Sequence, residues 1–206
     1  MKPHQEKWNL VINGYWNRMI FMPEWVCKNL FVSNEVEKLV PIAPVAPLIY
    51  RDKESAIHID DRKLFVDILN PSDQCIIKAE KMVCTVLEEL PNTPINGLGI
   101  NFGFKEKTPS KELLEIFDFK DNSCINLFGG TIKSHKIIRE IIINNKMLNL
   151  YLINNIPGID IMANFHHSIT TAREAIENLR DKTLDLYEML LKFLENVYGL
   201  RMEREN

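Results

Sequence analysis

The sequence predicts an α+β protein: an antiparallel sheet of about six strands with helices packed on one face. Two observations carry this. Alternating apolar residues over 55–69 and 131–167 are interrupted only by short turn signals, and strands joined by short turns pair antiparallel. Apolar stripes of helical period run over 73–90 and 171–198, each opposite charged residues, as in helices lying on a sheet. A chain of 206 residues suits one large domain or two small ones, and a single domain is the expectation. Residues 1–50 are expected to supply a strand, a short helix and a proline-rich connection, and residues 55–198 the main sheet and its helices.

Taken in order, residues 8–21 are apolar and strand-leaning. The turn dipeptide Asn13-Gly14 lies within them, so they form a hairpin or a bulged strand. Pro23 suits a first helical turn, and a short helix follows over 24–30. Pro41, Pro44 and Pro47 exclude a central strand and point to an extended connection or an edge. In 55–69, Ile57 and Ile59, then Leu64, Val66 and Ile68, hold strand faces on either side of Asp60-Asp61-Arg62. Pro71-Ser72-Asp73 starts the helix to residue 90, with Ser72 as its cap.

Residues 95–104, I-N-G-L-G-I-N-F-G-F, have two unlike faces. Leu98, Ile100, Phe102 and Phe104 fall on one, and Gly97, Gly99, Asn101 and Gly103 on the other. This is the expected central strand. Its bare face admits a close approach, by a helix of the same chain or by a bound partner, and the helix is the expectation. Thr108-Pro109 opens a short helix to about residue 117, and Gly129-Gly130 breaks the chain. A three-strand meander over 131–167 turns at Asn144-Asn145 and Pro157-Gly158. Thr171 and Glu174 form a capping box for one long helix to Tyr198, stopped by Gly199. Strands followed by a helix occur in both 55–90 and 131–198, a shared architecture without aligned sequence.

Hydrophobic residues at 46% and charged residues at 26% are ordinary for a soluble globular protein. A net charge of -3 argues against a dedicated nucleic-acid binder. The polar N-terminus lacks the apolar core of a signal peptide, and no run is long enough to cross a bilayer. Cys27, Cys75, Cys84 and Cys124 are dispersed with no C-x-x-C pair, which points to reduced thiols and a cytoplasmic setting.

No catalytic constellation stands out, and no cofactor is expected. The glycines of 95–104 sit within a strand and not between a strand and a helix, so they do not make a phosphate loop. His58, Asp60 and Asp61 are an incomplete metal or acid–base set beside a turn. They support an alternative, a metal-dependent hydrolase or nuclease subunit. The adjacent His166 and His167 point to opposite faces, and neither Cys84 nor Cys124 carries a local nucleophile signature. A nucleic-acid accessory role requires Lys105, Lys107, Lys111, Lys133, Lys136 and Arg139 to converge. The C-terminal helix has an apolar arc wider than its core stripe, extended by Leu184 and Leu191 on one flank and Met189 and Phe193 on the other. Either that helix is more buried than usual or part of it meets another chain, and Trp16 and Trp25 are likewise core aromatics or interface anchors. On the second reading these six are the candidate partner-binding residues, for another protein or a second copy of this chain.

Three motifs carry a resemblance that covers most of the chain. L-V-I-N-G-Y-W-N, L-P-N-T-P-I-N-G-L-G-I-N-F-G-F and A-N-F-H-H before a C-terminal helix resemble a loose group of bacterial proteins with a SecB-like export-chaperone fold. The resemblance implies a chaperone-like protein-binding module. It also implies a partner encoded in a bacterial stress, toxin–antitoxin or antiviral defence operon. It transfers no functional residue.

Overall fold

The computed structural model describes residues 1–31, 36–39, 46–155 and 157–203. All the strands described join one antiparallel sheet, and six α-helices accompany it. The strands are β1 (Lys2–Pro3), β2 (Asn9–Gly14), β3 (Glu37–Leu39), β4 (Leu48–Arg51), β5 (Ser55–Ile59), β6 (Lys63–Ile68), β7 (Ile95–Glu106), β8 (His135–Ile143), β9 (Lys146–Asn154) and β10 (Ile159–His167). The helices are α1 (Pro23–Leu30), α2 (Asp73–Glu89), α3 (Lys111–Glu115), α4 (Asn122–Leu127), α5 (Ala172–Leu179) and α6 (Thr183–Tyr198). The expectation of about six strands is therefore corrected to ten among the described residues, in the order β3-β4-β5-β6-β2-β7-β10-β9-β8 with β1 beside β7. The strands missed are β1, β3 and β4, of two, three and four residues. Segments so short carry too few alternations to declare a period. Pro41 and Pro44 lie outside the described residues; Pro47 stands just before β4.

The chain order shows a repeat wider than the sequence suggested. A strand, a short helical segment, a three-strand meander and a helix occur as β2, α1, β4–β6, α2 and again as β7, α3–α4, β8–β10, α5–α6. In the sheet each meander returns beside its own first strand, giving β4-β5-β6-β2 and β8-β9-β10-β7. The halves meet where β2 pairs antiparallel with β7, Asn9 opposite Asn101 and Val11 opposite Gly99. Asn13-Gly14 is the bulge of a single strand, not a hairpin turn.

The helices lie on one face of the sheet. Trp8, Leu10, Ile12, Leu98, Ile100, Phe102, Ile161 and Phe165 point into this layer and are buried. Trp8 meets Phe102, Phe104 and Tyr187 of α6 at 5.1–5.6 Å between ring centroids, and its indole Nε1 donates to the Gly103 carbonyl at 2.6 Å. Ser72 caps α2 by accepting from the Cys75 amide, and Gly199 closes α6 with φ of 66°.

The expected single C-terminal helix is two. Periodicity continues through 171–198, but the chain turns at Asp181, whose φ is 58°. Glu80 of α2 explains the break: its buried carboxylate accepts from the amides of Asp181, Lys182 and Thr183 at 2.7, 3.3 and 2.9 Å. A carboxylate at the start of α6 satisfies amides that have no intrahelical acceptor and complements the helix dipole.

Candidate functional site: the helix-free face of the sheet

Strand geometry sends alternate residues to the other face, which no described helix covers. The glycine side of β7 lies there. The helix expected to pack on Gly97, Gly99 and Gly103 is on the opposite face, which corrects that expectation. Side chains of neighbouring strands flank the glycines instead. A Cβ on Gly97 would meet Asn13 Nδ2 at 3.3 Å, and one on Gly99 would meet Asn164 Nδ2 at 3.1 Å. Lys7, from the 3-10 turn Gln5–Lys7, crosses over Gly103. The result is a shallow trough along the middle strand.

Across this trough runs a row of directly opposed polar residues: Asp67, Asn9, Asn101, Asn164, Asn149 and Glu140, from β6 to β8. Asn149 donates to Asn164 at 3.3 Å, Asn164 to Asn101 at 2.7 Å, and Asn101 to Asn9 at 2.8 Å. Each amide holds two donors and an acceptor with two lone pairs, so this chain leaves capacity over for a ligand. Lys7, Asn9, Asn101, Tyr151, Met162 and Asn164 line a hollow of about 320 Å³. Asparagine is depleted in strands, yet here it stands between two core residues four times: Trp8-Asn9-Leu10, Ile100-Asn101-Phe102, Leu148-Asn149-Leu150 and Ala163-Asn164-Phe165. That recurrence was a usable sequence signal. The two-faced pattern of 95–104 shows only Asn101 of the four, among its glycine neighbours.

Toward β8 three exposed apolar residues stand on this face: Ile138, Ile142 and Met147. Five more exposed large hydrophobics, Leu114, Phe119, Ile125, Leu127 and Phe128, belong to the α3–α4 segment, which meets His135 on the helix side of β8. Leu127 and Phe128 at the end of α4 are 86% and 95% exposed, and Ile138 and Ile142 on the outer strand are 55% and 73%. Exposed apolar groups gathered on one flank mark an interaction surface more than the same number scattered.

The other sequence candidates fall apart spatially. His58 turns to Asp67, Nε2 to Oδ2 2.9 Å, and stacks on Phe65 at 4.2 Å. Asp60 Oδ1 is taken up by the amides of Arg62 and Lys63, holding the β5–β6 turn. Among the described residues no group of three or more His, Cys, Asp or Glu side chains is placed to hold a metal, Asp61 included. His166 is exposed on the open face and His167 half-buried on the other. Burial pushes the Cys84 thiol up to about 11, with the Glu80 carboxylate adding to it, which disfavours the nucleophilic thiolate. The basic residues do not converge: Lys111 pairs with Glu115, Lys136 lies over the Tyr151 ring on the open face, and Arg139 bonds the Tyr198 hydroxyl on the helix face. Lys105 lies 3.9 Å from Asp160, while Lys107 and Lys133 are exposed in connections.

Trp16 is buried against Phe21, and Trp25 packs edge-on to the same ring, half-buried. Leu184, Met189, Leu191 and Phe193 are half-buried against the core. The wide arc of α6 is thus largely met within the chain. Among the described residues no helix is long and apolar enough to cross a membrane. Neither the family models nor the curated proteins compared with this chain give a match.

Proposed function

We propose that this chain is a non-enzymatic protein-binding module whose helix-free sheet face receives an extended, partly apolar stretch of polypeptide. The observation that carries the reading is the combination on that face of a bare glycine floor, spare amide capacity and the exposed apolar side chains Ile138, Ile142 and Met147. The glycine floor admits a backbone closely. The asparagine amides offer donors and acceptors of the kind a main chain requires. Tyr151, Met162 and Ile138 supply apolar contact beside them.

The resemblance to SecB-like export chaperones supports the same reading and extends it. On that footing the protein is a chaperone, or the dedicated subunit of a bacterial stress, toxin–antitoxin or phage-defence complex, acting in the cytoplasm. The four cysteines, all free thiols, support that compartment.

The test is a titration of a fluorescently labelled, permanently unfolded polypeptide, reduced and alkylated, against the purified protein and its Gly99→Val variant. Saturable binding that the variant loses while it stays folded is the expected result. No binding by the native sequence removes the chaperone reading. Equal binding by both proteins moves the site off this face.

A further inference from the structure

We propose that the edge strand β8 pairs antiparallel with β8 of a second copy of this chain, with Ile138 on the two-fold axis. β8 is nine residues long and pairs with β9 without a register shift. Among the described residues no backbone hydrogen bond reaches its outer side. Natural edge strands are commonly kept short or broken by proline or a bulge, since a long flat one is a template for another strand. The opposite edge, β3, has three residues. β8 has no proline and no bulge, and carries five isoleucines.

The charges on β8 name the occupant. A two-fold axis perpendicular to the sheet keeps both helix layers on one side, and opposed residues must then share a face. Three registers centre near the middle of the strand. Centred on Arg139, two guanidinium groups oppose; centred on Glu140, two carboxylates oppose. Centred on Ile138, Lys136 of each copy stands opposite Glu140 of the other, with the two Ile138 side chains between the ion pairs. Opposite charges across strands stabilise a pairing and like charges weaken it, so one register is self-complementary. It engages residues 135–141 of both copies.

This dimer joins the two Ile138 side chains between the ion pairs, leaves Ile142 and Met147 of each copy beyond them, and sets both asparagine rows on one continuous sheet face. It does not depend on the polypeptide-binding reading, and a failure of either leaves the other standing.

Sedimentation velocity on the full chain across micromolar concentrations tests it. The native protein is expected to be a dimer. Lys136→Glu and Glu140→Lys, each folded by circular dichroism, are each expected to weaken dimerisation by about tenfold or more, and the two together to restore it. Ile138→Cys, in a Cys27→Ser/Cys124→Ser background, is expected to cross-link under mild oxidation, because opposed Cα atoms lie about 5 Å apart. A native monomer at every concentration overturns the proposal. So do charge reversals without effect, a double variant as weak as the singles, or an Ile138→Cys protein that does not cross-link.

Discussion

The two faces of the sheet share every strand and differ in what each neighbouring residue has to do. Phe102 and Asn101 are adjacent in β7. The first is buried among Trp8, Phe165 and Tyr187 beneath the helices, and the second is half-buried in a chain of amides under no described helix. On the covered face, shape and volume decide stability. On the open face, small floor residues and polar hydrogen bonding leave room, which stability alone does not call for.

Substitutions either side of the sheet sharpen that contrast, and the largest effect belongs to the covered face. Phe102→Ala is expected to cost about 3–5 kcal/mol, read by urea denaturation, because it empties a packed aromatic cluster. Next comes Glu80→Ala. It leaves three amides at the α5–α6 turn without their carboxylate, and charge-assisted bonds of this kind suggest a loss of about 2–3 kcal/mol. Asn101→Ala, one residue from Phe102, is expected to cost about 1 kcal/mol, since water can replace its bonds on an open face. If Asn101→Ala proves as damaging as Phe102→Ala, the open face is not open.

The contrast extends to pH. Burial, with the charges of Lys146, His166 and Lys182, holds the His167 ring below its ordinary value of 6.5. The unfolded chain takes up that proton more readily. This contribution to stability is therefore complete above about 6.5 and is lost as pH falls from there toward the lower native value. His167→Gln is expected to flatten the stability curve in that window, a smaller effect than any core truncation.

Much of the covered face was legible in the sequence. Strand alternation at Leu98, Ile100, Phe102 and Phe104 and the stripe of α2 follow from burial, which leaves a period. The α5–α6 break was not legible, because it comes from Glu80, about a hundred residues away, and no local signal opposes the helix there. Strands β3 and β4 escaped for want of length. His58 and Asp67 each lie on a readable strand, but their pairing comes from the β5–β6 register. The asparagine row shows the same limit: four unremarkable residues become a row once β2, β7, β10 and β9 stand side by side. The bare face of β7 was visible as a pattern, but which face the helices cover is a property of the whole sheet.

Gly99 decides between the two faces most directly. Its missing Cβ points at Asn164 Nδ2, the end of a side chain at the edge of a hollow and not packed backbone. Gly99→Val is therefore expected to stay within about 1 kcal/mol of the native stability, below the usual cost of overfilling a core. The same substitution fills the trough. Thermal melts and polypeptide titrations on this one variant are expected to show a fold retained and binding lost. A variant that unfolds would show a packed interior in place of an open site, and one that binds as well as the native protein would show that the trough is not the site.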